Sequence, residues 1–329
     1  MKSNRLELYK AVPIKSPLLL QIFPCYACNF KCNYCLHALP REKHGFISQQ
    51  TFMDIGLFIH AVDEIALSKS KIKMLRFAAI GEPLLHPQIV DMVRYAQEKE
   101  IADSVEIVTN GALLTEALSD ALIHAGLTVL RVSLQGLTSG EYKENCGADV
   151  DFNRIKNMIA YYYSHCGSSR VYVKIIDHIL GNDGIRIKAF YDLFTTISHI
   201  VAIEHLTPTV EGIDFKKIAN GVELSLTQDG NAMTKTHICP QPFYMLQINP
   251  DGNLTVCCSV KYPGLFGHVE TTGLLGAWNG SKLMEFRKKS LVYGTVNASN
   301  ACATCKLYHY SFNEEDVLDG HEEEILKRL

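Results

Sequence analysis

Eleven cysteines are spread unevenly along the 329 residues. Cys25, Cys28, Cys32 and Cys35 crowd one short segment near the start. Cys239, Cys257, Cys258, Cys302 and Cys305 fall in the last third, and Cys146 and Cys166 stand alone. Thiolates are soft ligands, so two separate groups of them point to two metal sites. The opening residues have no apolar h-region and no cleavage site, which makes the cytoplasm the expected compartment. Thiols stay reduced there, so the cysteines do not read as a disulfide framework.

Three chemistries fit the first group, in which Cys28, Cys32 and Cys35 are spaced C-x3-C-x2-C. A zinc site would use Cys25 with Cys28 and Cys32 with Cys35 as two knuckles, but its pairs usually lie about 15–20 residues apart. A ferredoxin-like electron carrier would place all four thiolates on one iron–sulfur cluster. The third possibility is a cluster held by three cysteines with one iron left open, and an open position is what separates catalytic metal sites from structural ones. In that case Cys25 is a buried thiol beside the cluster, because a fourth ligand would close the open iron.

The elements that must hold these residues alternate. Strand-like runs are expected at Leu18–Phe23, Met74–Ala78, Val105–Thr109, Val129–Leu134, Val171–Ile176 and Ile200–Leu206. Helical patterns fall between them near residues 48–67, 88–98, 115–124, 152–162 and 186–196. Six strands with intervening helices imply an α/β fold with a parallel sheet, here an open, partial (β/α)6 TIM-like barrel with its active groups at the C-terminal strand ends. The expected layout is a lead-in at 1–17, the barrel at 18–206, a connector at 207–238, a cysteine-rich domain at 239–310 and a solvated acidic tail at 311–329. In the cysteine-rich part, Tyr244–Ile248 and Leu254–Cys258 flank Asn-Pro-Asp-Gly as a β-hairpin, and a helix follows at 281–289.

Composition excludes other classes. Apolar residues at 47% and charged residues at 20% suit a globular core. A net charge of −3 gives no case for nucleic acid, and no apolar run approaches a membrane span. Arg287-Lys288-Lys289 reads as a solvated helix face. His37 and His86 read as hydrogen-bonded structural histidines and Cys166 as a structural thiol.

The C-x3-C-x2-C run after a first strand, with Tyr34 before its last cysteine, resembles the signature of the radical SAM superfamily. Ala79-Ile80-Gly81-Glu82-Pro83 at the end of the second strand resembles that family's GGEP motif, with Ile80 in place of its first glycine. Thr109-Asn110-Gly111 resembles its TNG turn. Ser133-Leu134-Gln135-Gly136 resembles its ribose and carboxylate contact, with Gln135 where the family often has Asp. The resemblance implies a [4Fe–4S] cluster on Cys28, Cys32 and Cys35 with an open iron that chelates S-adenosylmethionine. It further implies cofactor contacts from Tyr34, Ala79, Gly81, Glu82, Pro83, Asn110, Ser133 and Gln135, and a flavodoxin- or ferredoxin-type reductant.

Cys239 and Cys257 bracket the hairpin, and Cys302 and Cys305 form a second pair, so four soft ligands make a closed site for zinc or an iron–sulfur cluster. With Trp278-Asn279 and the helix after it, this region resembles the SPASM/twitch extension of radical SAM enzymes in its shorter form. That resemblance implies one auxiliary [4Fe–4S] cluster. Strand alternation is expected to send Cys258 to the face opposite Cys257, as a buried filler, an alternative ligand or a hydrogen-atom donor. Cys146 is a second donor candidate.

Relatives of the shorter form include 2-deoxy-scyllo-inosamine dehydrogenase and sugar or aminocyclitol epimerases. Fewer than twenty residues precede the first strand, too few for a peptide-leader-binding domain. By analogy the expected substrate is a small hydroxyl-rich molecule, namely a sugar, aminocyclitol or nucleotide sugar, which is oxidised or epimerised. Lys174, Glu204, His178 and Arg76 are candidate bases or anchors. A peptide-modifying enzyme and a non-enzymatic iron–sulfur carrier are the alternatives.

Overall fold

The computed structural model describes residues 6–329 apart from Ala79, Thr234, Ser259, Val260, Ser311 and Phe312. Six parallel strands form in the expected places: β1 Leu19–Ile22, β2 Ile72–Phe77, β3 Ala102–Thr109, β4 Val129–Leu134, β5 Arg170–Ile176 and β6 Ile200–Glu204. Three more follow: β7 Met245–Ile248, β8 Asn253–Thr255 and β9 Gly267–His268. The single sheet runs β6-β5-β4-β3-β2-β1-β7-β8-β9. The hairpin therefore extends the barrel sheet instead of forming a detached module, since β7 pairs with β1 in parallel, Gln21 opposite Gln247.

Alternation divides each strand between two environments. In β4, Leu130, Val132 and Leu134 are fully buried with Val105, Ile107, Val171 and Val173 under the helices. The intervening Arg131 and Ser133 face the concave side. There Arg76 and Arg131 both bind Glu106, at 3.1 and 2.9 Å, and Arg131 lies over the Tyr172 ring. A polar barrel lining can hold a polar guest, while the apolar outer face carries the packing.

The helices between strands are Ile55–Ser68, Ile89–Glu98, Glu116–His124, Phe152–His165 and Gly184–Phe194, with Ser139–Cys146 inserted after β4. Side-chain caps fix most of their starts. The first begins seven residues later than its apolar pattern suggests, because Asp54 accepts from Gly56 N at 2.7 Å and the chain before it is extended.

Two other expectations are corrected. The C-terminal segment is no solvated tail: Leu318 and Ile325 are fully buried with Leu8, Val12 and Leu291 in a second apolar cluster, and of its acidic residues Asp316 is buried and Asp319 accepts from His237 N and Ile238 N. Arg287 is buried as well. Its guanidinium lies over Trp278 and donates to the carbonyls of Pro242 and Trp278, leaving only Lys288 and Lys289 exposed. No helix among the described residues is long and apolar enough to cross a membrane.

Candidate active site

β1 delivers the chain into the first cysteine segment, where Cys25 is buried and its thiol donates to the carbonyl of Glu82 at 3.1 Å. The link is reciprocal, because Glu82 N donates to Ala27 O at 2.8 Å. Gly81 makes this closeness possible: its φ is +97°, and a Cβ there would fall 2.3 Å from Cys25 O. Burial pushes the Cys25 thiol up to about 12, which suits a neutral hydrogen-bond donor.

Cys28, Cys32 and Cys35 are half-buried on the loop that follows. Phe30 N points at Cys28 Sγ at 3.4 Å, and Cys35 N donates to Cys32 O at 2.8 Å. Lys31 N and Asn33 N donate to the carbonyls of Cys146 and Asn145, which pins the loop to the end of helix Ser139–Cys146. The three thiols share one electrostatic neighbourhood. Burial first raises Cys28 to about 12, with Glu82 and Cys35 adding. A hydrogen bond with Cys146, then burial and the charges of its neighbours, raises Cys32. Cys146 is thus brought against a member of the trio, although its own thiol also donates to Tyr142 O at 2.9 Å.

The strand-end motifs organise this loop. Glu82 is buried and accepts from Thr109 Oγ1 at 2.6 Å, Asn110 N at 2.8 Å and Leu84 N at 3.0 Å. Asn110 Nδ2 donates to Asn29 Oδ1 at 2.7 Å, between the first two cysteines of the trio. The side chains of Glu82 and Asn110 therefore hold the β2 and β3 ends to the cysteine loop and are committed there. Pro83 opens the short turn Pro83–Leu85. Tyr34 OH donates to Gln135 Oε1 at 3.0 Å, and Ser133 lies beside them. Ala79 lies outside the described residues.

Next to Tyr34 and Cys35, a cavity of about 270 Å³ opens at the C-terminal ends of β4, β5 and β6. Lys174 and Glu204 line it, locked together at 2.6 Å. The segment expected to be only a connector supplies its outer wall through Thr207, Thr209 and Gln228. Sequence reasoning missed His205, whose Nδ1 lies 2.5 Å from Asp177 Oδ2. No local motif joins these two; the pairing of β5 with β6 does. His178 is buried beside Asn33 and the edge of Tyr34, and burial lowers it to about 4.

Cys239, Cys257, Cys302 and Cys305 line a second cavity together with Pro242, Phe286 and Tyr308. Cys239 N donates to Thr295 Oγ1 at 2.7 Å, and Ser299 caps the turn that carries Cys302. The thiols stand around the walls: among the described residues, no three Cys, His, Asp or Glu side chains meet closely enough to hold a single ion. An all-sulfur donor set without carboxylate or imidazole fits an iron–sulfur cluster or zinc and not a hard cation.

The alternation expected for Cys258 does not apply, because β8 ends at Thr255. Cys258 instead feels the charges of Cys305 and Arg76, between the second cavity and the barrel lining. Burial raises its thiol.

Comparison with known proteins agrees with this arrangement. The family profile of the radical SAM superfamily matches residues 22–191, and that of an iron–sulfur cluster-binding domain, SPASM, matches 239–306. The tungsten-containing aldehyde ferredoxin oxidoreductase cofactor-modifying protein of Pyrococcus furiosus is 31% identical over 137 residues, 41% of this chain and 36% of that protein. The GTP 3',8-cyclase of Chlorobaculum tepidum is 39% identical over 112 residues, 34% of this chain and 31% of that one. The chain thus spans about a third of the length of these curated relatives.

Among solved structures, BtrN in complex with AdoMet and 2-DOIA aligns with a TM-score of 0.54 at 17% identity, over 88% of this chain and 92% of that one. Streptococcus suis SuiB bound to S-adenosylmethionine aligns with a TM-score of 0.63 at 16% identity, over 92% and 74%. At such identities the likeness concerns the fold. The barrel profile alone covers more than half of the sequence, and the chain belongs to the radical SAM superfamily, with a SPASM domain after its barrel.

Proposed function

We propose that the enzyme removes a carbon-bound hydrogen from a small hydroxyl-rich molecule (a sugar, aminocyclitol or nucleotide sugar) and so oxidises or epimerises it. Cys28, Cys32 and Cys35 would hold the [4Fe–4S] cluster, and Cys239, Cys257, Cys302 and Cys305 an auxiliary cluster. When bound, the first cluster and S-adenosylmethionine supply a 5′-deoxyadenosyl radical. The supporting observation is the cavity beside Tyr34 and Cys35, lined by the Lys174–Glu204 pair and by the hydroxyls of Ser133, Thr207 and Thr209.

The chain's own residues position the guest. Lys174 and Glu204 offer one donor and one acceptor at fixed separation, which suits neighbouring hydroxyls or an amine on a ring. Gln135, tied to Tyr34, and Ser133 at the cavity wall would contact the cofactor beside that guest. Cys146 and Cys258 are the thiols that would return a hydrogen atom in an epimerase. A flavodoxin- or ferredoxin-type protein would be the reductant.

The test is an anaerobic screen of sugars, aminocyclitols, nucleotide sugars and peptides with reconstituted enzyme, dithionite and S-adenosylmethionine. A hydroxyl-rich compound should stimulate 5′-deoxyadenosine release. Solvent deuterium at carbon would mark epimerisation, and a carbonyl without deuterium would mark oxidation. Stimulation by peptides alone would overturn the substrate class, and no cleavage under any condition would leave an electron carrier.

A further inference from the structure

We propose that His205, held by Asp177, is the base that takes the proton of a substrate hydroxyl, which selects oxidation within the reading above and rests on it. Asp177 is buried in the turn directly after β5, and its Oδ1 is committed to the backbone while Oδ2 faces the histidine. Oδ1 accepts from Leu206 N at 2.9 Å, and Oδ2 lies 2.5 Å from His205 Nδ1. A carboxylate fixed by Leu206 N and in contact with Nδ1 favours a proton on that nitrogen and leaves Nε2 as the acceptor, on a residue that lines the cavity beside Tyr34 and Cys35.

The opposite wall is built to leave Nε2 clear. His205 N donates to Gln228 O at 2.9 Å, which ties the histidine to the turn that carries Gly230. Gly230 has φ +82°, and a Cβ there would fall 2.8 Å from Nε2 and 3.0 Å from Cδ2. Any side chain at that position would press on the reacting edge of the ring.

The other bases within reach are engaged. Lys174 and Glu204 neutralise each other at 2.6 Å with side chains 19% and 13% exposed, so neither accepts a proton without breaking the pair. The charged and titratable groups facing His205 are Asp177 after β5, the Lys174–Glu204 pair on β5 and β6, exposed Asp229 on the Gly230 turn, and Tyr34 and Cys35 across the cavity.

The step balances. The substrate O–H bond breaks and an N–H bond forms at Nε2, and Asp177 offsets the imidazolium charge. When bound, the cofactor would supply the radical that takes the carbon-bound hydrogen atom, and an oxidised iron–sulfur cluster would accept the remaining electron, so that the alcohol would leave as a carbonyl. A redox-neutral epimerisation would need no such base.

Two experiments decide. On histidine-labelled holoenzyme, 15N–1H two-bond correlation spectra report each imidazole tautomer, and His205→Gln identifies the signal. His205 should carry its proton on Nδ1 at neutral pH and lose that preference in Asp177→Asn. A proton on Nε2 in the wild type, or a spectrum unchanged in Asp177→Asn, overturns the assignment. With any panel alcohol the wild type oxidises, His205→Gln should lower kcat about 10²–10⁴-fold with KM little changed. Gly230→Ala should also lower kcat. Turnover that survives His205→Gln overturns the proposal, whereas no turnover of any panel alcohol by the wild type sinks the substrate reading itself.

Discussion

The hydroxyl of Tyr34 donates to Gln135 Oε1 at 3.0 Å and so ties the residue before the last cysteine of the trio to the end of β4. Gln135 is buried, and its backbone carbonyl is also taken, by Asn145 Nδ2 at 2.9 Å. The cysteine loop, the β4 end and the following helix are therefore one unit. Tyr34→Phe keeps the ring and strands a buried acceptor, which should cost about 1–3 kcal/mol. Denaturant unfolding and equilibrium dialysis of S-adenosylmethionine would check this, the second being expected to show several-fold weaker binding. Unchanged values in both would show that the bond organises nothing.

Cys25 and Cys28 should respond differently to the same substitution. The Cys25 thiol spends its proton on Glu82 O, so Cys25→Ala is expected to keep full iron content and lose about 1–2 kcal/mol of stability. Cys28→Ala should lose the iron of one whole cluster. If Cys25→Ala also loses it, Cys25 is a ligand.

How much of this was readable in advance differs by element. The six barrel strands were legible because their alternating or continuous apolar runs recur between helical patterns, several of them closing at a turn such as Pro24, Asn110-Gly111 or Gly136. The cysteine trio was legible from spacing. What escaped depended on contacts distant in sequence. The burial of Leu318 and Ile325 needs Leu8 and Val12 as partners. The joining of β7 to β1 merges two regions that look separate in sequence. Asp177 and His205 meet only because β5 and β6 are neighbours, and Cys258 escapes alternation because β8 stops three residues earlier.

Arg287 tests the SPASM region's packing. Its buried guanidinium donates to two carbonyls and stacks on Trp278, and a lysine cannot reproduce that fork. Arg287→Lys should destabilise by about 2–4 kcal/mol, read as a lower denaturant midpoint. A midpoint shift near zero would mean the lysine finds equivalent partners.

His178 gives stability a pH dependence. Burial lowers its pKa from 6.5 to about 4 in the folded state. Above 6.5 the imidazole is neutral whether folded or unfolded, and its full contribution is present. As pH falls from 6.5 towards 4, the unfolded chain takes the proton first and stability drops, by about 3 kcal/mol from this group. His178→Gln should therefore show a shallower decline over that range than the wild type. Equal slopes would assign the decline to other groups, such as His86, which burial lowers as well.

The central claim is that two sets of cysteines hold two iron–sulfur clusters. The most direct test is iron, sulfide and zinc analysis of a Cys28/Cys32/Cys35 triple alanine variant after anaerobic reconstitution. About four irons with matching sulfide per chain, and an S-adenosylmethionine cleavage activity that is abolished, are expected if Cys239, Cys257, Cys302 and Cys305 bind a [4Fe–4S] cluster of their own. Near-zero iron with about one zinc per chain would make the second site structural and contradict the account.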